Sequence, residues 1–216
     1  YNYDESRLRM LRVPYVISGS GKTVPEDTGT YPKSALVTTD TEIESQSMVD
    51  YLCSCGHKRI AFITSGDEGL GRCHLNGYKR SLEKNGLEYD EKLIIRLKPG
   101  KRIYTIENGY NCTCELLKSG VDFSCIYAIS DTLAVGACRA IIDSGKRVPE
   151  DYCVAGADGQ DIAEYYHPSI TTLKYPRVEI ALQSVRTLFD LINRKKVVKR
   201  QILGGTLIER ESTRKL

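Results

Sequence analysis

The feature that most constrains this chain is a regular alternation of short apolar segments with longer amphipathic ones. Strand-like runs lie near residues 13–17, 59–64, 93–97, 124–129, 154, 170–174, 201–203 and 206–209. Helical patterns are predicted between them over about residues 40–55, 71–84, 107–118, 131–144 and 176–193. Such alternation predicts an α/β fold with parallel sheets that are flanked by helices on both faces.

The loops at the carboxyl ends of these strands carry polar side chains and one aromatic ring. They are Arg72, His74, Tyr104, Ser130 with Asp131, and Asp158. In parallel α/β sheets ligands bind at this edge. A carboxylate accepts hydrogen bonds from hydroxyl groups, and a ring packs on the apolar face of a sugar. The pattern therefore indicates a neutral polyhydroxy ligand.

Two glycine-rich segments lack the spacing that nucleotide-binding motifs require. In SGSGKT, residues 18–23, the position six before Lys22 is Val16 instead of glycine, and a turn-rich stretch follows where a helix has to begin. In GDEGLGRCH, His74 stands where a third glycine is required. With three histidines and no serine triad or paired-histidine helix, we predict neither an enzyme nor a bound cofactor.

The composition is that of an ordinary soluble protein. The chain has 216 residues, 41% of them hydrophobic and 27% charged, and its net charge of +3 is too small to indicate nucleic-acid binding by itself. No apolar stretch approaches the length of a transmembrane helix. Several of the eight cysteines fall inside apolar runs, so we expect buried, reduced thiols in a cytoplasmic protein.

Two cysteine groups suggest a metal site, because thiolate and imidazole are soft ligands. They are Cys53-x-Cys55-x-His57 and Cys112-x-Cys114. On a helix, however, residues two apart point to nearly opposite sides. We therefore predict structural cysteines and no metal.

Long segments of the chain closely resemble one family. The carrying segments are SDTLAVGACRAIIDSGKRVPEDYCVAGADG, HPSITTLKYP, GHKRIAFI, RCHLNGY and LIERESTRKL. They are similar to the effector-binding domain of the lactose/galactose repressor (LacI/GalR-type) family of bacterial transcription regulators, and they follow in the family's order from about residue 9 to residue 213.

The resemblance implies a two-lobed fold of periplasmic-binding-protein type with a small effector, a sugar or nucleoside-like molecule, between the lobes. Lobe one would hold residues 1–56 and 176–203 and lack its first strands, and lobe two would hold residues 57–175 and 204–216. It also implies a homodimer that contacts operator DNA through a headpiece not contained in this sequence, and no membrane. A secreted sugar-binding protein of a transporter shares the fold and is the alternative; the cysteines and the closing segment favour the regulator.

The resemblance further implies roles for particular residues. Asp158 matches the family's acidic ligand contact, and Tyr104 matches the position of a ring against the ligand; as alternatives, Asp158 caps a turn and Tyr104 is a surface side chain. Ser130 occupies a position that often touches ligand, whereas Asp131 is expected to cap the following helix. His74 stands at the place of the family's ligand-binding arginine or else packs in the interior, and Arg72 could replace that arginine only if the helix begins after it.

Overall fold

The computed structural model describes residue 8 and residues 11–19, 33–98, 100 and 102–216. The chain forms two compact units. The first comprises Tyr1–Asp40 and Pro176–Gly204, and the second comprises Thr41–Tyr175 and Gly205–Leu216. Most of the SGSGKT segment, residues 20–23, lies outside the described residues.

The elements alternate along most of the chain as the sequence predicts. The strands are β1 (Tyr15–Ser18), β2 (Ser34–Thr38), β3 (Ile60–Thr64), β4 (Ile94–Arg96), β5 (Cys125–Ala128), β6 (Cys153–Asp158), β7 (Thr171–Lys174), β8 (Arg200–Ile202) and β9 (Thr206–Ile208). The α-helices are α1 (Thr41–Ser54), α2 (Gly69–Lys84), α3 (Ile106–Lys118), α4 (Asp131–Asp143), α5 (Asp161–Tyr165) and α6 (Arg177–Ile192). A 3₁₀ turn (Glu91–Leu93) precedes β4.

The first unit contains a three-stranded parallel sheet in the order β1-β2-β8. Every residue of the central strand β2 is buried. Helix α6 is tied to β8 by side-chain amides, since Gln183 Nε2 donates to Gln201 Oε1 over 2.6 Å and Gln201 Nε2 donates to Thr187 Oγ1 over 3.0 Å. The inner face of α6 thus meets this sheet.

The second unit contains a six-stranded sheet in the order β4-β3-β5-β6-β7-β9. All neighbours are parallel except β7 and β9, which are antiparallel. Every residue of β3 and β5 is buried, so both faces of the sheet centre are covered. The predicted α/β class with helix-flanked, mostly parallel sheets is confirmed.

Close packing of α1 on α2 assigns α1 to the second unit. A β-carbon on Gly77 of α2 would collide with the backbone oxygen of Glu42 in α1, so only glycine allows this approach. Ser45 Oγ donates to the backbone oxygen of His74 over 2.8 Å. The second compact unit therefore begins at Thr41, whereas the resemblance implies a division of the chain near residue 56.

Candidate functional site

Strands β3, β5, β6 and β7 run in parallel, so their carboxyl ends share one edge of the six-stranded sheet. The loops that leave this edge begin at Ser65, Ile129 and Gly159. Loop backbone at such an edge has polar groups that are not used within the sheet, and helices that start there direct their N-terminal N–H groups toward it.

Asp158 is the last residue of β6 and has a φ of 102°, a conformation that side chains other than glycine rarely adopt. Its carboxylate accepts a hydrogen bond from Gln160 Nε2 at 3.1 Å, and its backbone oxygen accepts one from the Tyr175 N–H at 3.2 Å. Unusual backbone conformations of this kind concentrate at functional sites. The expected ligand contact is thus held at the carboxyl edge.

Ser130, and not Asp131, is the residue that caps α4. Ser130 is the N-cap of α4, and its Oγ accepts a hydrogen bond from the Leu133 N–H over 3.3 Å. Asp131 is the first residue of the helix and is fully buried. The prediction that Asp131 caps this helix is therefore wrong, because an N-cap side chain has to lie one residue before the first helical turn.

Asp131 connects three strand ends. Its Oδ1 accepts a hydrogen bond from Thr172 Oγ1 on β7 and its Oδ2 accepts one from the Gln160 N–H after β6, both over 2.6 Å. Burial raises the pKa of Asp131 to about 6, the two hydrogen bonds oppose that rise, and the nearby charge of Asp158 adds to it. At pH 7 the carboxyl is largely ionised and can accept both bonds.

Tyr104 joins the same edge from the loop before α3. Its side chain is 46% exposed, and its backbone oxygen accepts a hydrogen bond from Thr132 Oγ1 over 3.2 Å. Thr132 Oγ1 in turn lies 3.0 Å from Ser130 Oγ. The structure thus connects Tyr104 to Ser130 and leaves the tyrosine ring accessible.

His74 lies in the second turn of α2, the helix that follows β3. Its Nδ1 is buried and has no hydrogen-bond partner among the described residues. Burial lowers the pKa of His74 to about 4, because the protonated ring would lose its hydration. The ring is therefore neutral at pH 7 and cannot supply the positive charge of an arginine.

Arg72 does not meet the condition for taking the arginine's place. Helix α2 begins at Gly69, so Arg72 is already helical, and its N–H donates to the Glu68 backbone oxygen over 3.2 Å. Residues two apart on a helix point in nearly opposite directions. Arg72 is exposed, whereas the His74 ring is turned inward.

Three residues at this edge carry no signal that the sequence reasoning used. Gln160 and Thr172 bind the two aspartates, and Thr64 Oγ1, at the end of β3, is buried without a hydrogen-bond partner among the described residues. All three are uncharged, and although Thr172 lies in the HPSITTLKYP segment, the resemblance assigned it no role. Their position one or two residues from a strand end is the single signal that could have identified them.

The described part of the chain gathers no group of three or more potential metal ligands. All eight cysteines are free thiols. Burial raises the pKa of Cys53 and Cys112, so neither is poised to ionise as a metal ligand does. Among the helices of the described residues, none combines the length and apolar composition that a membrane span requires.

Comparison with known proteins places the chain in a family. Residues 49–213 match the family of periplasmic binding protein-like domains. The transcriptional regulator MalR of Clostridium butyricum is 41% identical over 146 residues, which are 68% of this chain and 42% of MalR. CelR of Thermobifida fusca is 32% identical over 202 residues, 93% of this chain and 56% of CelR.

A solved structure described as a CelR–cellobiose complex has the same fold. It aligns with a TM-score of 0.77 and 32% identity over 93% of this chain and 59% of that chain. The chain spans about half the length of the curated relatives that it matches. The chain belongs to the periplasmic binding protein-like family, and its relatives there are the LacI-family HTH-type transcriptional regulators.

Proposed function

We propose that this chain is the ligand-sensing part of a bacterial transcription regulator and that it binds a small neutral effector, a sugar, at the carboxyl edge of its six-stranded sheet. The main support is Asp158, which lies at that edge and has a backbone conformation with positive φ. A carboxylate fixed in this way accepts hydrogen bonds from sugar hydroxyl groups. The exposed ring of Tyr104 offers a surface for the apolar face of a sugar.

Charge at the edge favours a neutral effector. Asp158 supplies a carboxylate, and His74, at the place of the family's arginine, is neutral at pH 7 because burial lowers its pKa to about 4. An anionic ligand would meet the carboxylate without a charged imidazole to offset it. Ser130 Oγ and the backbone at the strand ends supply further donors and acceptors for hydroxyl groups.

A transcription regulator also needs macromolecular partners, namely a second copy of the protein and operator DNA. We propose that the complete protein is a homodimer and that effector binding alters its contact with operator DNA through a separate headpiece. The similarity to HTH-type regulators supports this assignment, and a bound cellobiose in the CelR structure supports a sugar as the effector class. A two-fold symmetric dimer matches the symmetry of a palindromic operator.

Thermal unfolding with a panel of neutral mono- and disaccharides and nucleosides, cellobiose included, tests the proposal. At about 100 times its Kd, a ligand stabilises the folded state by about 2.7 kcal/mol, which raises the Tm of a domain of this size by about 5–10 °C. We expect such a shift from a neutral sugar and none from its phosphorylated form. A panel that leaves the Tm unchanged contradicts the proposed function.

A further inference from the structure

The turn after β6 is held in a conformation that its own sequence disfavours. Asp158 and Gly159 have successive positive φ angles of 102° and 64°. For an aspartate this conformation persists only where surrounding interactions determine it. The interactions that hold this turn therefore also fix the position of the Asp158 carboxylate.

Three backbone groups of the turn have partners within the second unit. The Asp158 carbonyl accepts from the Tyr175 N–H at 3.2 Å, the Gly159 N–H donates to Thr172 Oγ1 at 3.3 Å, and the Gln160 N–H donates to Asp131 Oδ2 at 2.6 Å. Thr172 Oγ1 itself donates to Asp131 Oδ1 at 2.6 Å. This bond orients the Thr172 hydroxyl so that its oxygen accepts from the Gly159 N–H. Asp131 thus acts on two of the three anchors, one directly and one through Thr172.

The Asp131 carboxyl packs closely against β6, and the turn packs closely against β7. A β-carbon on Gly156 of β6 would collide with Asp131 Oδ1, and a β-carbon on Gly159 would lie 2.7 Å from the Lys174 Cα. Asp131 is fully buried and Thr172 is fully buried beside it. Hydrogen bonds to a buried carboxylate are charge-assisted and geometrically selective.

Gln160 connects Asp131 to Asp158, the expected ligand contact. Gln160, whose backbone Asp131 holds, donates from its side-chain Nε2 to Asp158 Oδ2 over 3.1 Å. A chain of hydrogen bonds therefore runs from Asp131 through Gln160 to the Asp158 carboxylate. The Asp158 carboxylate is close enough to raise the pKa of Asp131, and the Arg210 guanidinium is close enough to lower it.

We propose that Asp131 is a positioning residue for effector binding: it fixes the Asp158–Gln160 turn and so sets the direction of the Asp158 carboxylate. The inference rests on the proposed function, because it takes Asp158 as a ligand contact. Asp131 itself, enclosed at the start of α4, does not touch the ligand.

Amide hydrogen exchange in Asp131→Asn tests the structural step without any ligand. The amide keeps the shape of the carboxyl but loses an acceptor for one of its two partners. We expect the Gly159 and Gln160 amides to exchange about tenfold faster or more, while the amides in the centre of β3 keep their rates. Unchanged exchange at both turn positions would overturn the proposal, whether or not a sugar binds.

Calorimetric titration with cellobiose, or with the panel sugar that gives the larger Tm shift, tests the functional step. Asp131→Asn should weaken binding by about tenfold, the effect of one lost charge-assisted hydrogen bond. In an Asp158→Asn background the same change should weaken binding by less than about twofold, because Asp131 acts through Asp158. A loss of the same size in both backgrounds contradicts positioning through Asp158.

The control is Asp50→Asn, the same chemical change at another structural carboxylate. Asp50 accepts hydrogen bonds from Ser81 and Lys84 between α1 and α2, away from the turn. We expect Asp50→Asn to lower the unfolding temperature without altering the affinity for the sugar or the amide exchange rates of the turn. A wild type that binds no sugar of the panel defeats the proposed function, and amide exchange still decides whether Asp131 holds the turn.

Discussion

At the scale of single residues, His74 departs most from its expected behaviour. The sequence places it where the family has an arginine, and an ordinary imidazole would change charge near neutral pH. Burial instead lowers its pKa to about 4. A ring with this pKa stays neutral above about pH 5, so His74 gives no reason for ligand affinity to change across neutral pH.

The buried imidazole should make stability depend on acid pH. The folded-state pKa of about 4 lies below the ordinary value of 6.5, so the unfolded chain binds more protons between these values. Because of His74, the free energy of unfolding should therefore decrease by up to about 3 kcal/mol as the pH falls from 6.5 toward 4. We expect His74→Gln to remove that loss, measured as the difference in urea-unfolding free energy between pH 7 and pH 4.

His167 provides the matched control for this measurement. Its side chain is 90% exposed, so it lacks the burial that distinguishes His74. His167→Gln should leave the difference between pH 7 and pH 4 as it is in the wild type. An equal pH dependence in wild type and His74→Gln would show that the His74 ring is hydrated and contradict its burial.

Part of the candidate site could be predicted from the sequence, but the residues that bind its two aspartates could not. Asp158 and Ser130 were singled out because each follows a strand at the edge where ligands bind. Sequence alone does not show which of Ser130 and Asp131 caps α4, because the cap is the residue with the extended φ of −153°, which is Ser130. Gln160 and Thr172 come together only when β6 and β7 pair, a contact that sequence spacing does not reveal.

At the scale of elements, periodicity predicted all but two of the strands and α-helices in the described part of the chain. Strand β2 was missed because its apolar core is three residues, Ala35-Leu36-Val37, too short to distinguish from a loop. Helix α5 has five residues, fewer than two turns, so it shows no helical period. Both become stable through tertiary contacts: β2 lies between β1 and β8, and Ala163 of α5 is buried.

The end of a helix is predictable from the sequence where backbone geometry requires a particular residue. Asn85 is the C-cap of α2, and Gly86 follows with a φ of 66°, as the Asn-Gly pair predicts. Gly145 ends α4 in the same way with a φ of 80°. By contrast, the tight approach of α1 to α2 at Gly77 is a tertiary contact, and so the unit to which α1 belongs was not predictable from its own sequence.

At the scale of the whole molecule, association is the next property to measure. Tyr165 is 82% exposed, more than any other large apolar side chain described. Tyrosine is enriched at protein interfaces. We expect sedimentation at micromolar concentration to give twice the monomer mass of 24.2 kDa and Tyr165→Ser to raise the dissociation constant by about tenfold.

Two outcomes would count against this expectation. A wild type that sediments as a monomer at 100 µM contradicts the homodimer itself, while a dimer that Tyr165→Ser leaves unchanged places the interface elsewhere. Tyr165→Phe, which keeps the ring, is the control and should dimerise as the wild type does.

If the carboxyl edge of the six-stranded sheet binds a neutral sugar through Asp158, loss of that carboxylate weakens sugar binding. The most direct test is a calorimetric titration of wild type, Asp158→Ala and the exposed neighbour variant Asp161→Ala with the sugar that shifts the Tm most. Removing Asp158 leaves ligand hydroxyl groups without an acceptor, so the binding free energy should weaken by about 2–4 kcal/mol. The Kd of Asp161→Ala should stay within about twofold of the wild-type Kd. Equal affinity in wild type and Asp158→Ala would contradict the account.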